Sequence, residues 1–367
     1  MAERRFLLVA GDPSGDRHGA ALAAALKQKS PDVTILAMGG THLKKAAKTF
    51  IYPLVGVGGF GFWEPLVKLP QLLKAREAFE QALRDWRPEA VIPIDFYGFN
   101  IHVARLAKKA GIPVYYYISP QVWASRPHRV EALKEAVDRM LVLFPFEETL
   151  YKNAGVPVTF VGHPLLEQLP TPTEEAPEPL VGLLPGSRRG VIQKHLPILV
   201  ATARRLRAAH PQLKAYVFRP EEIEPAFYAR ALAKAPWIEL STDPGLTIRR
   251  RLWLAIGVSG TAALENMLLG VPMIVMYKLS WLTYLIARRL IRVPSIAMPN
   301  LLANASVVPE LIQGDATPQR LADAAEPFLA DPQKRAAMRT QLLDLRRTLA
   351  TGGSARAADT ILGHGSL

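Results

Sequence analysis

The chain has 367 residues, 49% of them hydrophobic, which exceeds one ordinary core and suffices for two. The absence of cysteine excludes a disulfide framework, a thiolate nucleophile and sulfur ligation of metal, and the eight histidines show no paired ligand spacing, so no structural zinc is expected. A net charge of +13 asks for an anionic partner, whether nucleic acid, acidic lipid or a phosphorylated small molecule.

From its charged start the chain enters an apolar strand at residues 6–10, without the apolar stretch and cleavage site of a signal peptide. No apolar run reaches the ~18 residues of a membrane span. A cytoplasmic protein with at most peripheral membrane contact is expected. The loop Gly11-Asp-Pro-Ser-Gly-Asp16 then opens a helix to about Lys29, and with His18 it offers backbone donors, two carboxylates and an imidazole at a helix start. It lacks the spacing of a dinucleotide fingerprint or a Walker loop. His18 reads either as a general base or as a polar residue of the first helical turn. Further strands are predicted at 33–38, 90–94 and 114–118, the alternation of an open α/β domain.

Between these strands, residues 57–76 mix glycine, aromatics, leucines and basic groups. Core packing is the ordinary reading of the leucines, but Phe60, Phe62 and Trp63 favour an acyl-contacting lobe, with Leu66 and Leu69 in it. Asp95 follows the strand at 90–94 and opens Asp95-Phe-Tyr-Gly-Phe-Asn100. Burial among Phe96, Tyr97 and Phe99 would raise its pKa and make it a proton acceptor for a hydroxyl, although an aspartate before a helix also reads as a cap.

Residues 167–179 are acidic, hold four prolines and have no periodicity, which marks a linker. The α/β pattern then restarts with a strand at 180–184, the loop Pro185-Gly-Ser-Arg-Arg-Gly190 and a helix to about His210. Arg188 stands where it would neutralise a departing diphosphate, and the sequence does not separate its role from that of Arg189. Two such domains would enclose a cleft, each with its strand-end loops pointing into it.

Gly257-Val-Ser-Gly-Thr-Ala-Ala-Leu-Glu265 joins an apolar strand to a helix through small residues, and a strand follows at 271–277. Backbone amides and the dipole at such a helix start attract phosphate, with Ser259, Gly260 and Thr261 allowing close approach. Glu265 lies four residues after Thr261, one too many for a capping box, so it is available to a ligand hydroxyl; an ordinary capped helix is the plain alternative. No acidic residue occurs between Glu265 and Glu310, while Lys278, Arg288, Arg289 and Arg292 fall there beside Trp281, Tyr284, Leu285 and Ile286. That mixture suits an anionic membrane interface, and equally a buried helix with surface arginines. The helical, basic tail at 332–367 either packs back on the first domain or exchanges with a partner chain in a homodimer.

Ten segments in this order carry a family resemblance: 10–16, 61–64, 95–100, Ile118-Ser-Pro-Gln-Val-Trp-Ala124, Pro145-Phe-Glu147, Val161-Gly-His-Pro-Leu165, 184–188, 259–265, Met298-Pro-Asn-Leu-Leu302 and Val308-Pro-Glu-Leu-Ile-Gln313. Together they make the chain resemble the lipid-A-disaccharide synthases, inverting glycosyltransferases of GT-B architecture with two Rossmann-like domains around a central cleft. The resemblance implies an acceptor- and lipid-binding domain at 1–170, a UDP-sugar domain at 180–345 and a helical tail at 346–367. It implies transfer of 2,3-diacylglucosamine from its UDP donor to 2,3-diacylglucosamine 1-phosphate at the membrane, with no cofactor, no metal and no nucleic acid.

Asp95 would be the base and Arg188 the diphosphate partner. Ser14, Gly15, Asp16, His18, Asn100, Ser119 and Trp123 would contact substrate in the first domain. Gly186, Ser187, Ser259, Gly260, Thr261, Glu265, Asn300 and Gln313 would do so in the second, with Glu265 on the ribose, and Trp281 would touch the membrane. Gly98, Ser125, Asp12 and Val191 depart from the common family pattern, which bears on acceptor identity. Another transferase or a 2-epimerase acting on UDP-N-acetylglucosamine would use the same architecture, and a non-catalytic lipid- or anion-binding relative would use the charge alone. No nucleic-acid-binding signature accompanies that charge.

Overall fold

Short apolar runs with buried residues on both faces can be satisfied only between two helical layers, and the chain builds two parallel sheets from them. The computed structural model describes residues 3–55, 69–125, 129–173, 179–290 and 293–363. The first sheet contains β1 (Arg4–Ala10), β2 (Val33–Gly39), β3 (Thr49–Pro53), β4 (Ala90–Ile94), β5 (Tyr115–Tyr117), β6 (Arg139–Val142) and β7 (Val158–Phe160), in the order β3-β2-β1-β4-β5-β6-β7. The second contains β8 (Leu180–Leu184), β9 (Lys214–Phe218), β10 (Ile238–Ser241), β11 (Leu254–Val258), β12 (Met273–Tyr277) and β13 (Glu310–Ile312), in the order β10-β9-β8-β11-β12-β13. Every pairing is parallel.

In each sheet the winding runs outward from the first strand, then reverses to its other side. The reversal falls between β1 and β4 in one sheet and between β8 and β11 in the other. Successive crossovers leave in opposite directions at such a point, and the strand ends there stay uncovered by helices. This is the doubly wound, Rossmann-like arrangement expected of the sequence. The strands at 6–10, 33–38, 90–94, 180–184 and 271–277 recur as β1, β2, β4, β8 and β12 within two residues at each end. Strands β3, β6, β7, β9, β10 and β13 went unpredicted; all are five residues or shorter, and β3, β7, β10 and β13 are mostly half-buried or exposed, which weakens the apolar signal.

The chain forms two compact units, Met1–Glu167 with Leu349–Leu367, and Gln168–Thr348. The first has its core at Leu7, Val9, Leu36, Val91, Tyr116 and Met140, the second at Val181, Leu183, Val217, Ile256 and Ile274. The tail is split between them. The helix Pro332–Thr348 packs in the second unit on the helix Thr261–Leu269, whereas Gly353–Leu362 packs in the first on the helix Pro13–Lys29. Burial of Ala357, Ala358, Ile361 and Leu362 drives that last contact, and a 2.7 Å ion pair between Lys29 and Asp359 flanks it.

Gly162 makes the seam of the tail. Its φ is 87°, the Ala350 carbonyl oxygen lies 2.2 Å from where a Cβ would stand, and the next amide, that of His163, donates to the same oxygen at 3.2 Å. Gly162→Ala should therefore cost about 3 kcal/mol in urea denaturation, the left-handed strain plus a backbone overlap. Gly111→Ala, at φ 72° with open space around it, should cost only about 1–2 kcal/mol.

Candidate functional site

At the first reversal, β1 and β4 deliver two loops against each other. Gly11 ends β1 with no side chain because the Phe96 ring occupies that space, 2.1 Å from a built Cβ. Asp12 then caps the helix Pro13–Lys29, its Oδ1 accepting the Gly15 amide at 2.7 Å, with Pro13 supplying a preset φ in the first turn. On the other side of the reversal Asp95 and Phe96 have φ of 47° and 45°, two successive left-handed residues that are not glycine. Each costs about 1–2 kcal/mol, and surrounding contacts must hold them. The Asp95 amide still donates to Tyr117 O at 3.0 Å, while its carbonyl accepts the Tyr116 hydroxyl at 2.6 Å and Asn100 Nδ2 at 2.9 Å.

The Asp95 carboxyl is pushed up to about 7, chiefly by burial and then by the charge of Asp12, with the Phe96 backbone amide opposing. A carboxyl that titrates near neutrality is suited to proton abstraction at physiological pH. Behind it lies a second perturbed carboxyl that sequence reasoning did not single out. Glu147 is buried, accepts the Leu143 and Phe144 amides at 3.2 Å and the Trp123 indole N–H at 3.2 Å, and is raised to about 7 by burial, with Asp95 adding to the rise. The cue in the sequence was Glu147 two residues after Pro145, the signature of a helix start. Trp123, Phe146, Phe144 and His163 form a row of ring contacts across the ends of β5, β6 and β7, with centroids 5.1, 5.6 and 5.3 Å apart. His163 is lowered to about 3 by burial and by His18, and His18 is itself lowered, first by burial and then by Arg17. Among the described residues the buried His18 Nδ1 has no hydrogen-bond partner.

Several residues expected to touch substrate also make hydrogen bonds within the protein. The Asp16 carboxylate accepts the amides of Gly40, His42 and Leu43 at 2.7, 2.9 and 3.1 Å, so it caps the helix Thr41–Ala46 from within. The Gly15 amide is taken by Asp12, and the buried Asn100 amide group braces the Asp95 turn. Ser119 Oγ bonds Pro120 O at 3.0 Å and the Tyr151 hydroxyl at 2.8 Å. Ser14 stays half-buried on the first helical turn. Gly98 is exposed, with nothing within 4 Å of where a Cβ would stand, so a side chain would meet open space there.

At the second reversal, β8 ends in Pro185, Gly186 at φ 111° and the exposed Ser187 and Arg188, the latter at the N-cap of the helix Arg189–Ala209. Arg189 pairs with Glu224 at 2.7 Å and lies over the Phe227 ring at 5.1 Å. On the facing strand, Gly257 packs so closely on Leu184 that a Cβ would sit 2.5 Å from the Leu184 side chain, which draws β11 against β8. The helix Thr261–Leu269 begins there with no side-chain cap. Gly260, at φ 142° and with nothing within 4 Å of a built Cβ, leaves its first amides approachable.

Ser259 Oγ donates to Ile296 O at 2.6 Å. Asn300 proves to be a clasp: Nδ2 reaches Val308 O and Glu310 Oε1, and Oδ1 accepts the amides of Val307 and Val308, which uses its full capacity. Gln313 Oε1 accepts the Leu279 amide at 2.6 Å. Glu265 bonds Arg249 through Oε2 at 2.8 Å, a partner hidden in the sequence within a run of three arginines.

Phe60, Phe62, Trp63 and Leu66 lie outside the described residues. Leu69 and Leu73, one helical turn apart on Leu69–Trp86, are 50% and 51% exposed. Trp281 and Leu285, similarly spaced on Trp281–Leu290, are 70% and 39% exposed, with Arg288 and Arg289 in the last turn. No helix among the described residues is long and apolar enough to cross a membrane.

Comparison with known proteins gives a family match over residues 6–361, to the lipid-A-disaccharide synthetase family. A lipid-A-disaccharide synthase of Syntrophus aciditrophicus is 39% identical over 98% of this chain and 97% of its own length. The lipid-A-disaccharide synthase 1 of Legionella pneumophila strain Philadelphia 1 is 37% identical over 95% and 94%. Among solved structures, Acinetobacter baumannii MurG superposes with a TM-score of 0.61 at 17% identity, covering 98% of this chain and 99% of its own. The S. aureus MnaA–UDP co-structure gives 0.66 at 12% identity, covering 98% and 95%. At those identities the structural likeness is one of fold.

The raised carboxyl has a thermodynamic signature. Asp95 titrates near 7 when folded against an ordinary 3.8, so its contribution to stability is full below about pH 4 and is lost as pH rises through 7. Asp95→Asn should therefore stabilise the protein at pH 8 by on the order of 2 kcal/mol, a gain that shrinks toward zero near pH 4. Urea denaturation at the two pH values checks this; equal effects at both would contradict the assignment.

Proposed function

This chain belongs to the lipid-A-disaccharide synthetase family, and we propose a division of its labour in which the Asp95 loop activates the acceptor and the start of the helix Thr261–Leu269, with Arg188, holds the departing nucleotide. The chain is a glycosyltransferase of lipid A biosynthesis. Its likeness to UDP-N-acetylglucosamine 2-epimerases is one of fold alone, at 12–13% identity. The donor is UDP-2,3-diacylglucosamine and the acceptor 2,3-diacylglucosamine 1-phosphate.

The reaction is a single displacement. The acceptor 6-hydroxyl oxygen attacks the anomeric carbon of the donor while its proton passes to Asp95. The bond from that carbon to the β-phosphate oxygen breaks, and UDP leaves with the electron pair. Attack opposite the leaving group inverts the anomeric centre and gives the β-1,6 linkage. Asp95, near 7, is substantially ionised at neutral pH and still basic enough to share a proton in the transition state. Negative charge grows on the diphosphate at the same moment, where the Arg188 guanidinium and the helix dipole at Thr261 stabilise it. Glu265 takes a ribose hydroxyl. Trp281 and Leu285, with the arginines of their helix, rest on an anionic membrane surface that presents the acylated substrates.

The observation that carries this reading is the pairing of chemistries at the two winding reversals: a carboxyl held near neutrality at one, and at the other an uncapped helix start after β11, whose neighbour β8 leads to Arg188. Incubating the protein with both acylated substrates should yield the tetraacyl disaccharide 1-phosphate by mass spectrometry. Asp95→Ala should lower kcat by about 10³-fold with UDP affinity kept, and Arg188→Ala by about 10²-fold. Normal turnover in either variant would remove that residue from the mechanism. Trp281→Ser with Leu285→Ser should lower cosedimentation with anionic vesicles severalfold at unchanged kcat in detergent; unaltered cosedimentation would refute the membrane contact.

A further inference from the structure

Arg249 differs from the two arginines that follow it. It opens the short 3-10 turn Arg249–Arg251 and is only 7% exposed, whereas Arg251 lies in solvent. Its backbone is fixed by Asp243, a buried aspartate at φ 43°. That carboxylate accepts the Thr247 hydroxyl at 3.0 Å, the Ile248 amide at 3.1 Å and the Arg249 amide at 2.8 Å. So anchored, Arg249 Nη2 reaches Glu265 Oε2 at 2.8 Å, Asn266 Oδ1 at 3.2 Å and Ala262 O at 3.3 Å.

This placement is costly. A guanidinium beside the first turn of the helix Thr261–Leu269 sits against the positive end of the helix dipole, and its burial removes it from water. An apolar side chain would fill the space without either cost, so stability alone gives no reason for an arginine. What it achieves is directional. Glu265 is half-buried with Oε2 fixed, and among the described residues its Oε1 accepts no hydrogen bond. Asn266, bonded to the same nitrogen, steadies the guanidinium in turn.

We propose that Arg249 is a positioning residue that locks the Glu265 carboxylate so that its second oxygen receives a hydroxyl of the ribose of a nucleoside diphosphate bound at this helix start. The inference rests on reading that helix start as the nucleotide site. Arg249 does not touch the nucleotide. It acts by preventing Glu265 from rotating into solvent, where a carboxylate would be hydrated and would have to be dehydrated at each binding event.

The test separates a ribose-directed role from a packing role. UDP and 2′,3′-dideoxy-UDP are titrated calorimetrically into wild-type protein, Glu265→Ala and Arg249→Lys; the last keeps the charge and loses the planar fork. Wild type should prefer UDP by about tenfold, the worth of a hydrogen bond to a charged group. Glu265→Ala should abolish the preference. Arg249→Lys should reduce it to about twofold while dideoxy-UDP affinity stays within about twofold of wild type.

Equal weakening of both nucleotides by Arg249→Lys, or an unchanged preference, would overturn the proposal. A preference that survives Glu265→Ala would overturn it as well, and would leave UDP binding at this helix intact. Wild-type protein that binds no UDP would instead remove the nucleotide-site reading beneath it. Should Arg249→Lys fail to fold, Arg249→Gln carries the same ratio as its readout.

Discussion

The constraint on which the structure depends is the reversal of winding in each parallel sheet. A right-handed crossover can cover only one side of the strand it leaves, so where the chain turns from one half of the sheet to the other, two adjacent strand ends remain open. In the first sheet these are the ends of β1 and β4, which carry Asp12 and Asp95; in the second they are the ends of β8 and β11, which carry Arg188 and the Gly260 helix start. Glycines permit the close approaches there. Gly11 yields to the Phe96 ring, and Gly257 lets β11 lie against Leu184.

Polar groups at the two reversals follow opposite electrostatic designs. Around Asp95 the protein withdraws water and adds negative neighbours, raising two carboxyls toward neutrality and keeping two imidazoles uncharged. Around the helix Thr261–Leu269 it leaves the first amides uncapped and buries the Arg249 guanidinium against Glu265. One arrangement favours taking a proton, the other receiving a phosphate. Both work against stability, as do the left-handed residues Asp95, Phe96 and Asp243, and the well-packed cores of the two units offset them.

A ring of architectural polar residues supports these groups. Asn100, Asp16, Ser119, Asn300 and Asp243 each hydrogen-bond backbone groups of the loops around them and so fix the path of those loops. Such residues sit in the same loops as the proposed ligand contacts and are of the same chemical types. A sequence motif therefore marks the loop without distinguishing the side chain that meets the ligand from the one that shapes the turn behind it.

The sequence by itself determined the alternation of strands and helices, the restart of that pattern after residue 180, and the loops at which chemistry is placed. These follow from local signals: apolar runs, small residues at strand ends and a carboxylate after a buried strand. Only tertiary structure decided what those loops face. That Asp95 is lifted to about 7 depends on burial and on Asp12, which lies 83 positions earlier in the chain. That Arg189 meets Glu224 depends on β8 and β9 ending side by side, and that Glu265 meets Arg249 depends on the turn before β11 packing on the helix that follows it. Charge and hydrogen bonding act through space over a few ångströms, and the periodicity of a sequence records only which face of an element is buried, not which neighbour it meets.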